Sequence, residues 1–110
     1  MNIPKEFIQN IQGKDFVRYE GLLNAFHSNG GSQITTELVS KDKIGDDVFF
    51  IFKATVTGEK GTFDGYGDAY KGNVSAMVVK SLMRMAETRA KARALRDYNN
   101  IGMCSVEELE

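Results

Sequence analysis

The feature that most constrains this fold is an unbroken stretch of helix-forming sequence after Gly72. About 25 residues there contain neither glycine nor proline and are rich in alanine, methionine, leucine, lysine and arginine, which favour helices. Asn73 is a suitable N-cap, and Asn99, Asn100 and Gly102 provide a stop. The sequence therefore predicts one long helix that begins near Asn73 and ends near Asn100.

Before the long helix the sequence has the period of β-strands. Residues 32–42, 46–59 and 61–70 are rich in β-branched and aromatic side chains, and glycine with charged residues separates them, as in turns. The pattern predicts three consecutive antiparallel strands, a β-meander. Phe50 and Phe52 fall on one face of the middle strand and are predicted to lie in the core.

The N-terminal part, Pro4 to His27, has the spacing of helices. The segment IPKEFIQNIQ fits a short helix before Gly13. The segment DFVRYEGLLNAFHSNGG spaces its apolar residues by three and four positions before a stop at Gly30 and Gly31. We therefore expect helix throughout this region.

The predicted fold class is α+β: a helix, a three-stranded antiparallel β-meander and a long C-terminal helix. A chain of 110 residues, 42% hydrophobic and 26% charged, suits one soluble domain over 1–110, with a core at 4–102 and an acidic tail at 103–110. Because Cys104 is the only cysteine, an intramolecular disulfide is impossible and a reducing, cytoplasmic setting is the default expectation. The sequence predicts neither export nor insertion in a membrane.

Charge is distributed unevenly along the chain. The formal net charge is −1, but residues 73–98 carry six basic and two acidic side chains, a net charge of +4. The remainder sums to −5, with Glu107, Glu108 and Glu110 close to the C-terminal end. Such segregation is compatible with a local anion-binding surface on a protein of nearly neutral total charge.

One stripe of the predicted long helix is apolar in its first half and carries Arg89, Arg93 and Arg96 in its second half. No acidic residue of the helix shares this stripe, and the three arginines span about 10 Å, which suits successive phosphates of one strand. Arginine also makes fork-like contacts with phosphate oxygens. The opposite, mixed face carries Lys80, Arg84, Glu87, Lys91 and Tyr98. For the basic residues of that face, an ordinary solvated surface is the better interpretation.

Three residues outside the helix have two interpretations each. Tyr66 and Tyr70 flank the glycines that precede the helix, and stacking on a nucleic-acid base fits them as well as packing within the protein. Lys53 lies in the middle of a strand, where it either guards a sheet edge or contacts a nucleic-acid backbone.

Catalysis finds little support in the sequence. His27 is the only histidine and follows an apolar helical run, which is typical of a helix end rather than a catalytic base. No carboxylate pair, metal-ligand spacing or phosphate-binding glycine loop stands out. We therefore expect a binding protein and not an enzyme, with no cofactor, no metal and no small-molecule substrate.

The glycine-rich strand end and the helix after it carry a family resemblance. Gly65-Tyr66-Gly67 leads into AETRAKARALRDYNN, residues 86–100, which contains a motif of the form A-x-T-x-x-x-x-R-A-L-R-x-aromatic-x-N. The matching residues are Ala86, Thr88, Arg93, Ala94, Leu95, Arg96, Tyr98 and Asn100. The pattern resembles the single-strand annealing proteins of the Rad-fifty-two family, and in order of elements the resemblance covers roughly Pro4 to Gly102.

The resemblance implies a β-β-β-α annealing core that assembles into rings or filaments and holds single-stranded DNA in a groove beside the long helices. It also implies that Arg93 and Arg96 contact the DNA phosphates and that the bases turn outward for pairing. The chain departs from the family at Ala92, where a lysine is usual, although Lys91 and Arg89 lie close by.

The leading hypothesis is therefore an oligomeric, ATP-independent protein that binds single-stranded DNA and anneals complementary strands in recombination or repair. Its candidate nucleic-acid-binding residues are Arg84, Arg89, Lys91, Arg93, Arg96, Lys53, Tyr66 and Tyr70. An alternative is a structural or protein-binding module in which the helix arginines pair with the acidic tail of a neighbouring copy. A third hypothesis is a simple single-strand or RNA binder that does not accelerate the pairing of strands.

Overall fold

A computed structural model describes residues 3–109 and contains two antiparallel sheets and two α-helices. A hairpin of β1 (Ile8–Ile11) and β2 (Lys14–Val17) precedes helix α1 (Tyr19–Ser28). Strands β3 (Gly31–Ile44), β4 (Asp47–Gly58) and β5 (Gly61–Ala69) form the main sheet, and helix α2 (Leu82–Tyr98) packs on one of its faces. Short 3₁₀ helices cover Lys5–Phe7, Lys71–Asn73, Ala76–Ser81 and Val106–Glu108. The predicted α+β class is confirmed.

The main sheet is a meander because two tight turns connect its strands. Ile44 pairs with Asp47 and Gly58 with Gly61, and Gly45 and Gly61 supply the positive φ angles, 62° and 113°, that these turns need. On the face that meets α2, Phe52, Ala54 and Val56 are buried, while Phe50 lies half-buried beside them. The predicted three strands and the core position of Phe52 are therefore confirmed.

The prediction of a helix in IPKEFIQNIQ is wrong, because this segment forms a 3₁₀ turn and strand β1. The reason lies in the turn that follows, where Gln12 and Gly13 both have positive φ, 52° and 84°. The Asn10 side chain accepts a hydrogen bond from the Gly13 N–H at 3.1 Å and donates one to Asp15 at 3.0 Å. These contacts close a hairpin, so α1 begins only at Tyr19.

The long helix is shorter than predicted at its N-terminal end. It begins at Leu82, because Val74 is extended (φ −131°, ψ 160°) and Ala76–Ser81 is a 3₁₀ helix. Asn73 does not cap this helix. Its side chain instead accepts a hydrogen bond from the Tyr70 N–H at 2.8 Å.

The C-terminal end of the long helix is confirmed. Asn100 adopts a left-handed conformation with φ 56°, and the Ile101 N–H donates to the Arg96 carbonyl at 2.9 Å. The Asn100 N–H donates to the Asp97 carbonyl at 3.3 Å, which completes a Schellman motif. Asparagine tolerates this left-handed backbone better than most residues.

Glycines of β5 bring the backbone of α2 unusually close to the sheet. Gly65 and Gly67 lie within strand β5 and face α2. A Cβ atom on Gly65 would lie 2.5 Å from the Ala94 nitrogen, and one on Gly67 would collide with backbone atoms of Ala86 and Ala90. The small side chains of Ala86, Ala90 and Ala94 therefore let the sheet approach the helix closely.

No helix within residues 3–109 combines the length and the apolar character that crossing a bilayer requires.

We expect Gly67→Ala to lower the free energy of unfolding by about 3 kcal/mol, because its methyl group would overlap rigid helix backbone. Gly102→Ala is the matched control, since a Cβ there would meet nothing within 4 Å. Urea denaturation of both variants measures the difference. Equal stability of the two variants would contradict the proposed close packing.

Candidate nucleic-acid interface

Arg89 lies in the interior and not on a surface track. It is 3% exposed, and its guanidinium donates to the Asp68 carbonyl at 2.9 Å. It also donates to the Asn73 side-chain oxygen at 3.1 Å and to the Asn73 carbonyl at 2.7 Å. Burial, and next the nearby charge of Arg93, lower the pKa of Arg89. Its contacts tie the end of β5 and the following loop to α2. Arg89 therefore does not belong to the predicted row of three surface arginines, which is reduced to Arg93 and Arg96.

Arg93 lies along the open edge of β5. It donates to the Tyr66 carbonyl at 2.9 Å, and its side chain remains 40% exposed. The Asp68 carboxylate is 3.8 Å away. Because β5 pairs only with β4 in the three-stranded sheet, the carbonyls of Tyr66 and Asp68 point away from any strand, and Arg93 and Arg89 supply their hydrogen bonds.

Arg93 and Arg96 converge on one carboxylate. Arg96 donates to both oxygens of Glu108, at 2.9 and 3.1 Å, and Arg93 donates to the first of these oxygens at 3.2 Å. Arg96 also donates to the Gly102 carbonyl at 2.9 Å, which fixes the direction of its guanidinium. Two arginines of the stripe that lacks acidic residues within the helix are therefore paired with a single carboxylate that follows the helix in sequence.

Glu108 reaches this position because residues 104–108 of the predicted acidic tail fold onto the core. Glu110, which belongs to the same predicted tail, lies outside the described residues. Ser105 is fully buried and bridges to Val17 of β2, whose N–H donates to the Cys104 carbonyl at 3.0 Å. Ser105 and Glu108 form a capping box: the Ser105 N–H donates to the Glu108 carboxylate at 2.8 Å, and the Glu108 N–H donates to the serine hydroxyl at 3.3 Å. The Glu108 side chain is only 4% exposed.

The surroundings of Glu108 favour its ionised form. Burial raises its pKa, but hydrogen bonds from the backbone and hydroxyl of Ser105 and the charge of Arg96 outweigh burial and hold the pKa below its usual value. Burial, with the neighbouring charge of Glu108, raises the pKa of the Cys104 thiol. At neutral pH the two arginines therefore face a carboxylate anion.

Sequence reasoning missed Glu108 and Asn73 as partners of the arginines. The Ser-x-x-Glu spacing of Ser105 and Glu108 is a signature of a helix start and is the signal that predicts their capping box. Asn73 has no comparable signal, because its contact with Arg89 depends on how the loop after β5 folds back.

The other candidate residues of α2 lie elsewhere around the helix. Lys91 lies over the ring of Tyr19, with its nitrogen 5.4 Å from the ring centre. Burial, and then the charges of Glu87 and Glu107, raise the pKa of Tyr19. Tyr98, predicted to lie on the mixed outer face, is instead 2% exposed, and its hydroxyl donates to the Asn29 carbonyl at 2.9 Å.

Arg84 is exposed beside a groove of about 610 Å³. The groove lies between the start of α2, with the 3₁₀ helix before it, and the part of the sheet formed by the end of β3 and the beginning of β4. The floor of the groove is apolar and includes Phe50 and Phe52, and its basic lining residues are Lys41, Lys80 and Arg84. Lys41 lies 5.9 Å from the centre of the Phe50 ring. Within residues 3–109 none of the three basic groups forms an ion pair.

Lys53, Tyr66 and Tyr70 project from the sheet face opposite α2. The register shows the side to which they point. Lys53 pairs with Tyr66, and the pairs before and after it, Phe52–Gly67 and Ala54–Gly65, face α2. Since side chains alternate along a strand, Lys53 and Tyr66 face the other way, and so does Tyr70. Lys53 lies 3.8 Å from the Asp64 carboxylate, and Tyr70 stacks on Phe49 at 4.3 Å. The eight candidate residues therefore divide among the interior, the β5 edge, the outer side of α2 and the opposite face of the sheet.

No model of a known protein family matches this chain, and no curated protein sequence matches it. The resemblance to single-strand annealing proteins therefore depends on the residues quoted above, chiefly those between Ala86 and Asn100.

We expect Arg96→Ala to lower the free energy of unfolding by about 3 kcal/mol, because it leaves the Glu108 carboxylate buried without its closest cation. In Arg96→Ala/Glu108→Gln the loss should be smaller than the sum of the two single losses, by about 1 kcal/mol or more. Urea denaturation of the four proteins of this cycle measures the coupling. Additive losses would contradict an energetic link between the two side chains.

The lowered pKa of Glu108 predicts how stability depends on pH. A carboxylate whose folded pKa lies below its unfolded value stabilises the protein fully above the unfolded pKa, about 4.3. That contribution falls as pH drops through the folded pKa. Denaturation of Glu108→Gln should therefore show a flatter pH dependence than the wild type below about pH 5. Parallel curves would exclude Glu108 as a source of acid sensitivity.

Proposed function

We propose that this chain binds single-stranded DNA without sequence preference and, as an assembly of several copies, anneals complementary strands without ATP in recombination or repair. The observation that carries the proposal is the convergence of Arg93 and Arg96 on a single oxygen of Glu108. Two guanidinium groups held around one oxyanion form the kind of site that also suits a phosphate oxygen.

In this proposal the Glu108 carboxylate takes the place of a phosphate oxygen. A DNA backbone would displace the carboxylate or share the guanidinium groups with it, and Arg93 offers the more open approach because it is 40% exposed against 22% for Arg96. Tyr66 holds Arg93 through its backbone carbonyl, so the guanidinium is oriented before DNA arrives. Arg89 supports the site from the interior and makes no phosphate contact.

Contacts to phosphates alone leave the bases free. Annealing requires that a bound strand presents its pairing edges to a second strand, and arginine–phosphate contacts carry no sequence information. The resemblance of residues 86–100 to annealing proteins supports the same mechanism. Lys91 and Arg84, on other sides of α2, are outer contributors in this proposal.

A second candidate function is an assembly module that binds no nucleic acid. The observation that favours it is that Arg89, Arg93 and Arg96 all bond to groups of their own chain. In the structure the arginines pair with Glu108 of their own chain, whereas the hypothesis from the sequence pairs them with the acidic tail of a neighbouring copy. The binding experiment below separates the two functions.

We expect Arg93→Ala to weaken binding to oligo-dT and to reduce the slope of log affinity against log salt by about 0.7, the effect of one lost phosphate contact. Lys60→Ala is the matched control, because it also removes one exposed cation. Fluorescence anisotropy over a series of salt concentrations measures both quantities. An unchanged slope in Arg93→Ala would contradict the proposed site, and failure of the wild type to bind at low salt would favour the assembly module.

We expect Glu108→Gln to bind oligo-dT about tenfold more tightly than the wild type, because the anion that competes with phosphate is removed. The same variant should pair complementary labelled strands faster, measured by fluorescence quenching without ATP. Circular dichroism checks that it remains folded. Weaker binding by a folded Glu108→Gln would show that the carboxylate supports the site and does not compete for it.

A further inference from the structure

The chain carries an exposed ridge just before and at the start of α2. Met77 is 94% exposed and Met83 is 52% exposed, and Lys80 and Arg84 between and beside them are exposed as well. Met77 and Lys80 are three apart in the 3₁₀ helix, where such positions eclipse, and Met83 and Arg84 follow in the first turn of α2. We call these residues the Met77 ridge.

The opposite face of the main sheet has the complementary chemistry. Its centre is apolar and aromatic, with the stacked rings of Phe49 and Tyr70 beside Ile51, and with Tyr66, which is 54% exposed. Strand register places five carboxylates on the same face, those of Glu37, Asp42, Asp47, Asp64 and Asp68. Two cations lie beside them: Lys53 is 3.8 Å from the Asp64 carboxylate, and Arg93 reaches the Asp68 carboxylate at 3.8 Å from the β5 edge. We call this surface the acidic sheet face.

We propose that copies of this chain assemble head to tail by docking the Met77 ridge of one copy on the acidic sheet face of the next. Thioether groups pack favourably against aromatic rings, which matches Met77 and Met83 with the rings at the centre of the sheet face. Lys80 and Arg84 would then meet the surrounding carboxylates. An apolar centre within a charged rim is the usual anatomy of a protein interface.

The position of the two surfaces determines the kind of assembly. Lys80, Met83 and Arg84 of the Met77 ridge line the groove over Phe50 and Phe52, on the α2 side of the sheet. The acidic sheet face lies on the other side, so one chain cannot cover its own surfaces. Contacts between two different surfaces continue from copy to copy and give a ring or a filament. Every copy then presents Arg93 in the same orientation. The inference rests on the proposed function only for what the assembly would be used for. The docking itself needs no DNA.

The test uses two variants that each lose one surface. Lys80→Glu/Arg84→Glu reverses the charge of the ridge, and Glu37→Lys/Asp64→Lys reverses that of the sheet face. Each variant keeps the other surface intact. Lys5→Glu/Lys60→Glu is the control for the ridge variant, because it reverses two exposed cations elsewhere. If the sheet-face variant does not fold, Tyr66→Lys replaces it, since the Tyr66 contact to Arg93 uses only the backbone carbonyl.

Light scattering after size-exclusion chromatography, without DNA, measures the mass of each sample. We expect the wild type and the control to form multimers that weaken with salt, and each surface variant alone to be monomeric. An equimolar mixture of the two variants should give a dimer of one copy of each and nothing larger, because only one intact ridge and one intact face remain to meet. A monomeric wild type, a multimeric single variant or a mixture without the dimer would each overturn the proposal.

The result is independent of the DNA experiment. Oligo-dT binding by a monomeric sheet-face variant, lost on Arg93→Ala, would support the phosphate site whatever the outcome of the mixing test. Assembly of a wild type that binds no oligo-dT would support docking and reject the phosphate site.

Discussion

The rest of the structure depends on one contact, in which the backbones of α2 and β5 pack directly against each other. Gly65 and Gly67 on the strand face Ala86, Ala90 and Ala94 on the helix, and a single added methyl group on the strand would meet main-chain atoms. Protein interiors are packed too densely to absorb such a collision at low cost. The contact therefore fixes the height of the helix above the sheet.

That height determines what the arginines can reach. A guanidinium on α2 reaches the outward carbonyls of β5 because the helix lies so low on the strand: Arg89 meets Asp68 at 2.9 Å and Arg93 meets Tyr66 at 2.9 Å. The same closeness leaves the next turn, with Arg96, facing the folded C-terminal segment and Glu108. Glycine and alanine spacing in the core thus arranges charged groups near the surface, and the candidate phosphate site is a consequence of packing.

The parts of this fold that the sequence predicted are those set by local pattern. Strand alternation around Phe52 and the stop at Asn100 depend on neighbours in sequence, and both are confirmed. The hairpin before α1 was missed because isoleucine and phenylalanine spaced by three and four positions suit a helix, while Gln12 and Gly13 in left-handed conformations decide otherwise. The burial of Arg89 was not predictable from charge patterning, since it needs partners from a loop that folds back on α2.

The arginines along β5 also limit how the sheet can grow. Carbonyls at a free strand edge are the groups that recruit a further strand, and in this protein two of them are already bonded to side chains of α2. A strand added at this edge would have to remove Arg89 from its buried position before it could pair. These two hydrogen bonds therefore hinder edge-to-edge pairing of a further strand on this side of the sheet.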